Sequence, residues 1–263
     1  MKALKKLRTW LQEKPSEVPT ELALAGMNIE YVAALADALN AEESKPPYIA
    51  LIGETGVGKT STINALFGNG LAVSHTRACT QVETEIVGER GRPVRVLDMP
   101  GLGEDLDADE QHFETYRRVL RDVDAVVWIL KADNRAMTNV QRSLERLVKD
   151  GVLDPSKLVI ALNQIDLLQP GTWDRRINLP TPEQELTIAK RREDVLEKIR
   201  KVVQLPERHV VAYSAHMFFN LDDLLEAMLG ACDETRRWLL RDRASCADFN
   251  TLVDTSWTSE EEK

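Results

Sequence analysis

Five short runs at 48–52, 94–97, 125–130, 158–162 and 210–213 are almost continuously apolar, and each precedes a longer stretch with helical spacing. The helical patterns fall at 58–68, 109–121, 135–149, 183–203 and 220–241. Strands this apolar suit positions covered on both faces. Strand–helix alternation implies crossovers between parallel neighbours, so the expected class is α/β, a mainly parallel sheet with helices on both sides. Val82, Thr84 and Ile86 alternate with polar neighbours and precede the 94–97 run across a Gly-Glu-Arg-Gly turn region. That pair predicts one antiparallel hairpin at a sheet edge.

The first 46 residues read differently, as a helical N-terminal extension. Leu4, Leu7 and Leu11 recur at helical spacing among Lys2, Lys5, Lys6 and Arg8, and a second helical pattern follows at about 20–41. Glu-Glu-Ser-Lys-Pro-Pro at 42–47 then breaks any helix, because proline lacks the amide donor and restricts its predecessor. The expected divisions are 1–46, a sheet-bearing domain over 47–241, and a loosely ordered tail over 242–263. The chain carries 34 basic and 43 acidic residues, a net charge of −9, which argues against autonomous nucleic-acid binding. Its longest apolar runs are about six residues, far short of the roughly 20 that a membrane span needs. Cys79, Cys232 and Cys246 are odd in number and lack metal-ligand spacing, which points to a reducing, cytoplasmic compartment. His75, His112, His209 and His216 are scattered and make no metal set.

In open sheets of this class, ligands bind at the C-terminal ends of the strands. GETGVGKT occupies 53–60, directly after the 48–52 run, and Ser61 continues it. Gly53, Gly56 and Gly58 let the backbone wrap closely round a phosphate, and the amides of Glu54, Thr55 and Val57 turn inward at a helix N-terminus. Lys59 adds a mobile positive charge for the outer phosphates, and the Thr60 hydroxyl can ligate magnesium. Asp98-Met99-Pro100-Gly101 follows the 94–97 run. Asp98 can hold the magnesium shell, and Gly101 lets a backbone amide approach the terminal phosphate. Between these motifs, Thr80 is the first choice for a threonine completing the magnesium shell and reporting the terminal phosphate, with Thr76 second.

Base selection is expected at Asn163-Gln164-Ile165-Asp166, after the 158–162 run. A fixed Asp166 carboxylate accepts from both N1–H and the exocyclic amine of guanine. Adenine would leave it desolvated and unpaired, a cost large enough to discriminate. Asn163 is expected to brace the loop and touch the base edge. Ser214-Ala215, after the 210–213 run, can offer a backbone amide to the guanine carbonyl.

These stretches in this order resemble the GTP-binding domain of the translation-factor-related P-loop GTPases, over roughly 47–240. The Asp-x-Pro-Gly and Ser-Ala boxes look most like the Era-like branch, while the Gly-x-Thr-Gly-x-Gly-Lys loop is also similar to septins and immunity-related GTPases. The resemblance implies a Ras-like P-loop GTPase domain and magnesium-dependent binding of GTP and GDP. It also implies slow hydrolysis coupled to switch loops at about 69–82 and 99–112, with Lys59, Thr80 and Gly101 as the catalytic set. Three positions depart from the pattern. Leu102 stands where Ras-like enzymes carry the glutamine that orients the attacking water. Gln164 replaces the usual lysine and loses its charge. Gly56 occupies the position where potassium-activated relatives carry asparagine.

The rival expectation is a GTP-dependent assembly scaffold with little hydrolysis of its own. A GTP-dependent homodimer is suggested by resemblance alone. Ribosome binding has no dedicated domain to support it, and membrane-surface contact rests only on the basic residues 1–11. The segment 170–182 is long for a loop and reads either as a binding surface or as an excursion packed through Trp173.

Overall fold

The computed structural model describes residues 41, 45–68, 74–78, 81–87, 93–99, 106–134 and 137–244. The chain divides into two compact units, Met1–Pro46 and Pro47–Lys263. The expected N-terminal helices and the chain beyond residue 244 lie outside the described residues, apart from positions 41 and 45–46.

Within the second unit the strands are β1 (Tyr48–Ile52), β2 (Ser74–Ala78), β3 (Gln81–Val87), β4 (Pro93–Asp98), β5 (Ala125–Lys131), β6 (Leu158–Asn163), β7 (Trp173–Asp174), β8 (Leu179–Pro180) and β9 (Val210–Ala212). Seven of them form one sheet in the order β2-β3-β4-β1-β5-β6-β9. Strands β4, β1, β5, β6 and β9 run parallel, as the five apolar runs require. Their continuous apolarity has a simple cause. Tyr48, Ala50 and Ile52 enter one core cluster, while Ile49 and Leu51 enter the other, on the opposite face. Strand β5 divides the same way, with Val126, Trp128 and Leu130 in one cluster and Val127 and Ile129 in the other. Truncating fully buried Ile129 to alanine would cost about 2–5 kcal/mol.

The helices are α1 (Lys59–Phe67), α2 (Leu106–Val119), α3 (Met137–Lys149), α4 (Pro182–Arg200), α5 (Leu221–Ala231) and α6 (Glu234–Arg243). Side chains of α2, α3 and α4 fill the first cluster, and those of α1, α5 and α6 the second. Asp124 fastens α6 to the head of β1: its carboxylate accepts from the Tyr48 amide at 2.9 Å and from Arg236 at 2.6 and 3.0 Å.

Two features differ from the sequence reading. The hairpin of β3 and β4 forms, pairing Thr84 with Val96, but Ser74–Ala78 adds a further strand outside it. Parts of both expected switch segments are therefore regular, since 74–78 is strand and 106–112 opens α2. An edge strand of Ser-His-Thr-Arg-Ala gives no apolar period to read. The single helix expected over 220–241 is two, broken at Cys232, whose backbone is extended, and restarted by Asp233 at the N-cap of α6. The segment 170–182 folds into the small hairpin of β7 and β8. Trp173 meets Phe219 edge-on at 5.1 Å and donates to Asn178 Oδ1 at 3.1 Å. Asn178 in turn donates to the Met217 carbonyl at 2.8 Å. Among the described residues, no helix is long and apolar enough to cross a membrane.

Candidate functional site

Every described motif falls at the C-terminal end of its strand: 53–60 after β1, Asp98 at the end of β4, Asn163–Asp166 at the end of β6, and Ser214–Ala215 after β9. At the phosphate end the backbone is shaped for glycine. A Cβ on Gly53 would lie 2.6 Å from the Ile129 carbonyl oxygen. Gly58, the N-cap of α1, has φ +93°, and a Cβ there would lie 2.3 Å from Asn163 Nδ2. The Lys59 ammonium donates to the carbonyls of Gly53 at 2.8 Å and Glu54 at 3.2 Å, and sits 3.6 Å from Asp98 Oδ1. An ammonium has three donors, so two hold the loop while the third faces the carboxylate side. Burial raises the pKa of Asp98 above the ordinary carboxylate value, against the opposing pull of Lys59.

The expected base end is a set of cross-ties. Asn163 is buried at 2% exposure. Its Nδ2 donates to the Val57 carbonyl at 2.9 Å, and its Oδ1 accepts the Ala215 amide at 3.0 Å. One side chain thus joins the phosphate loop, its own loop and the loop after β9. Gln164, with φ +65°, donates to the Gly56 carbonyl at 3.0 Å, a second link between the two ends. The Ser214 hydroxyl donates to Asp166 Oδ1 at 2.7 Å and accepts the Met217 amide at 3.0 Å, which restrains one oxygen of that carboxylate. The Ala215 amide, expected to face a ring carbonyl, is engaged here by Asn163.

Thr80 and Gly101 lie outside the described residues, as does Leu102. Thr76 lies in β2 opposite Glu83. Thr60 and Ser61 are exposed in the first turn of α1, and Glu54, Thr55 and Gly56 form the exposed rim of the loop. Among the described residues, no cluster of three or more His, Cys, Asp or Glu side chains is placed to cage a metal ion. Magnesium commonly takes one or two protein oxygens plus phosphate and water. The Thr60 hydroxyl and the partly desolvated Asp98 carboxylate are donors of that kind. His209 packs in the core and donates from Nδ1 to the Leu158 carbonyl at 3.0 Å.

Two contributors escaped the sequence reading. Tyr213, fully buried, shares a 2.7 Å hydrogen bond with Thr62, whose hydroxyl also donates to the Gly58 carbonyl at 2.8 Å. Burial drives the Tyr213 hydroxyl far above its ordinary pKa, so it remains a neutral clamp between α1 and the loop after β9. Gln184, at the start of α4, lies behind the Asp166 loop. Its polarity alone reads as surface, and nothing in its spacing marks it.

A parallel sheet whose strand ends carry a glycine-wrapped loop, a lysine and a carboxylate defines a P-loop nucleotide-binding protein. Residues 48–164 match the family described as "50S ribosome-binding GTPase". That stretch, under half of the chain, is similar to the GTPase domain of the translation-factor-related P-loop class, whose members bind and hydrolyse GTP. Among curated proteins it is 28% identical to the uncharacterized protein YkfA of Escherichia coli (strain K12) over 187 residues, 70% of this chain and 61% of YkfA. It is 26% identical to the uncharacterized protein YfjP of the same strain over 215 residues, 80% of this chain and 71% of YfjP. The chain thus spans about three fifths to seven tenths of these relatives. Its fold is similar to that of LeoA, a bacterial dynamin GTPase from ETEC, with a TM-score of 0.56 at 14% identity over 95% of this chain and 45% of LeoA.

Proposed function

We propose that this chain binds GTP and GDP with Mg2+ at the described strand ends and hydrolyses GTP slowly to GDP and phosphate. The observation that carries the proposal is Asn163, which joins the phosphate loop to the base-selecting loops at 2.9 and 3.0 Å. Lys59 and the loop amides bind the phosphates, and Asp166, held by Ser214, accepts from N1–H and the 2-amine of guanine. Thr60 and Asp98 hold Mg2+ together with a switch threonine, Thr80 before Thr76. The ion supplies Lewis-acid stabilisation of charge on the phosphate oxygens. Lys59 neutralises charge building on the outer phosphates, and the Gly101 amide is assigned the terminal phosphate. The segments at about 69–82 and 99–112 report nucleotide state. Slowness follows from Leu102, which cannot hydrogen-bond the attacking water.

Leu102 also favours a second reading, a scaffold that assembles in its GTP form, with a second copy of the chain as the partner. One experiment separates the two: the hydrolysis rate per molecule across a wide range of protein concentration, with Mg2+ and an ATP control. A rate that rises with concentration means that a second copy completes the site. A flat, slow but measurable rate supports the slow GTPase, GTP binding without turnover supports the scaffold, and equal turnover of ATP contradicts both.

A further inference from the structure

The first turn of α4 sets a glutamine against the back of the base-selecting loop. Thr181 caps this helix by accepting the Gln184 amide, and Pro182 opens it. Gln184 therefore faces inward and is fully buried. Its position is boxed: a Cβ on Gly171 would lie 2.6–2.7 Å from Gln184 Cβ, Cα and N, so no side chain fits between the two segments. The Gln184 Nε2 group donates to the carbonyls of Asp166 at 3.0 Å, Leu168 at 3.1 Å and Ile165 at 3.4 Å. The amide orientation is forced, because exchanging its oxygen and nitrogen would set an oxygen against three carbonyls. Its Oε1 is then left buried with no hydrogen-bond partner among the described residues. A leucine or methionine would fill the same space without that standing penalty, so the polar side chain answers to what Nε2 holds.

What it holds is the tight turn Ile165–Leu167, entered through the left-handed backbone of Gln164. Asp166 is thus restrained twice, at its own carbonyl by Gln184 and at its carboxylate by Ser214. We propose that Gln184 is a positioning residue for base recognition, preorganising Asp166 to meet guanine N1–H and the 2-amine together. This rests on the guanine reading of Asp166.

The test compares affinities for GDP and for inosine diphosphate, whose base lacks only the 2-amine, in the full chain and in Gln184→Met and Gln184→Asn. Wild type should prefer GDP by about tenfold or more, the worth of one hydrogen bond to a charged group. Gln184→Met should narrow that ratio to about threefold or less. Gln184→Asn, which keeps the amide but withdraws it by one methylene, should fall between. A merely structural glutamine would lower both affinities together and leave the ratio intact. If Gln184→Met does not fold, the asparagine variant decides. An unchanged ratio in a folded variant overturns the positioning role alone. A wild type that binds both nucleotides equally overturns the guanine reading, and the positioning role with it.

Discussion

The two ends of the site are built in opposite ways. The phosphate end is one contiguous stretch, 53–60, whose binding surface is mostly backbone shaped by glycine and topped by Lys59. The proposed base end is assembled from separate loops after β6 and β9 and from the start of α4, tied by the side chains of Asn163, Ser214 and Gln184. A backbone cradle is local and tolerates change elsewhere in the chain. A side-chain assembly depends on residues distant in sequence, so its selectivity can be lost while phosphate binding persists.

The comparison breaks most sharply at Lys59. Lys59→Ala removes the charge at the phosphate end and should weaken GTP and GDP by about 100-fold or more, as two charge-assisted hydrogen bonds would imply. Titration with a fluorescent nucleotide reads it. Gly58→Ala should damage both ends at once, since its Cβ would meet Asn163 Nδ2 and its backbone is left-handed. The expected cost is about 2–4 kcal/mol, from αL strain and a displaced hydrogen bond. A thermal melt should fall by about 5–12 °C. Asn163→Ala sharpens the contrast. It leaves the Val57 carbonyl and the Ala215 amide without their partner, at about 1–3 kcal/mol. It should reduce guanine preference more than affinity for inorganic pyrophosphate.

The smallest effect concerns Asp98. Its folded pKa is raised, so its ionised form is disfavoured by the fold, and this group's contribution to stability falls as pH rises from the unfolded value through the folded one. Asp98→Asn should therefore raise the melting temperature of the nucleotide-free protein slightly at neutral pH while weakening Mg2+-dependent GTP binding. In wild type, Mg2+-dependent binding should decline on acidification at a higher pH than an ordinary carboxylate would give. Matching pH profiles for wild type and Asp98→Asn would contradict both expectations.

The contrast also explains what could be read from sequence. The parallel strands were legible because Ile49, Leu51, Val127 and Ile160 sit among unbroken apolar neighbours, a pattern that burial on both faces demands. The 53–60 loop was legible because its chemistry requires particular residues at fixed spacing. Strand β2 was not, since Ser74–Ala78 pairs through backbone at an edge. The break between α5 and α6 hid because apolar residues continue through Leu229, Leu239 and Leu240, although Asp233 before Glu234 is an N-cap signal. Gln184 and the Thr62–Tyr213 bond were invisible for a deeper reason. A buried polar residue is recognised by its partners, and its partners are set by tertiary structure.

The central claim is that Asp166, Ser214 and Asn163 form a guanine-selective pocket joined to the phosphate loop. It is tested most directly by equilibrium binding of GDP, ADP and xanthosine diphosphate to wild type and to Asp166→Asn. Wild type should prefer GDP over ADP by about 100-fold or more. Asp166→Asn exchanges an acceptor for a donor and should turn that preference towards xanthosine diphosphate, whose base carries a carbonyl where guanine has its amine. Equal binding of GDP and ADP by wild type, or an unchanged preference in the variant, would contradict the account.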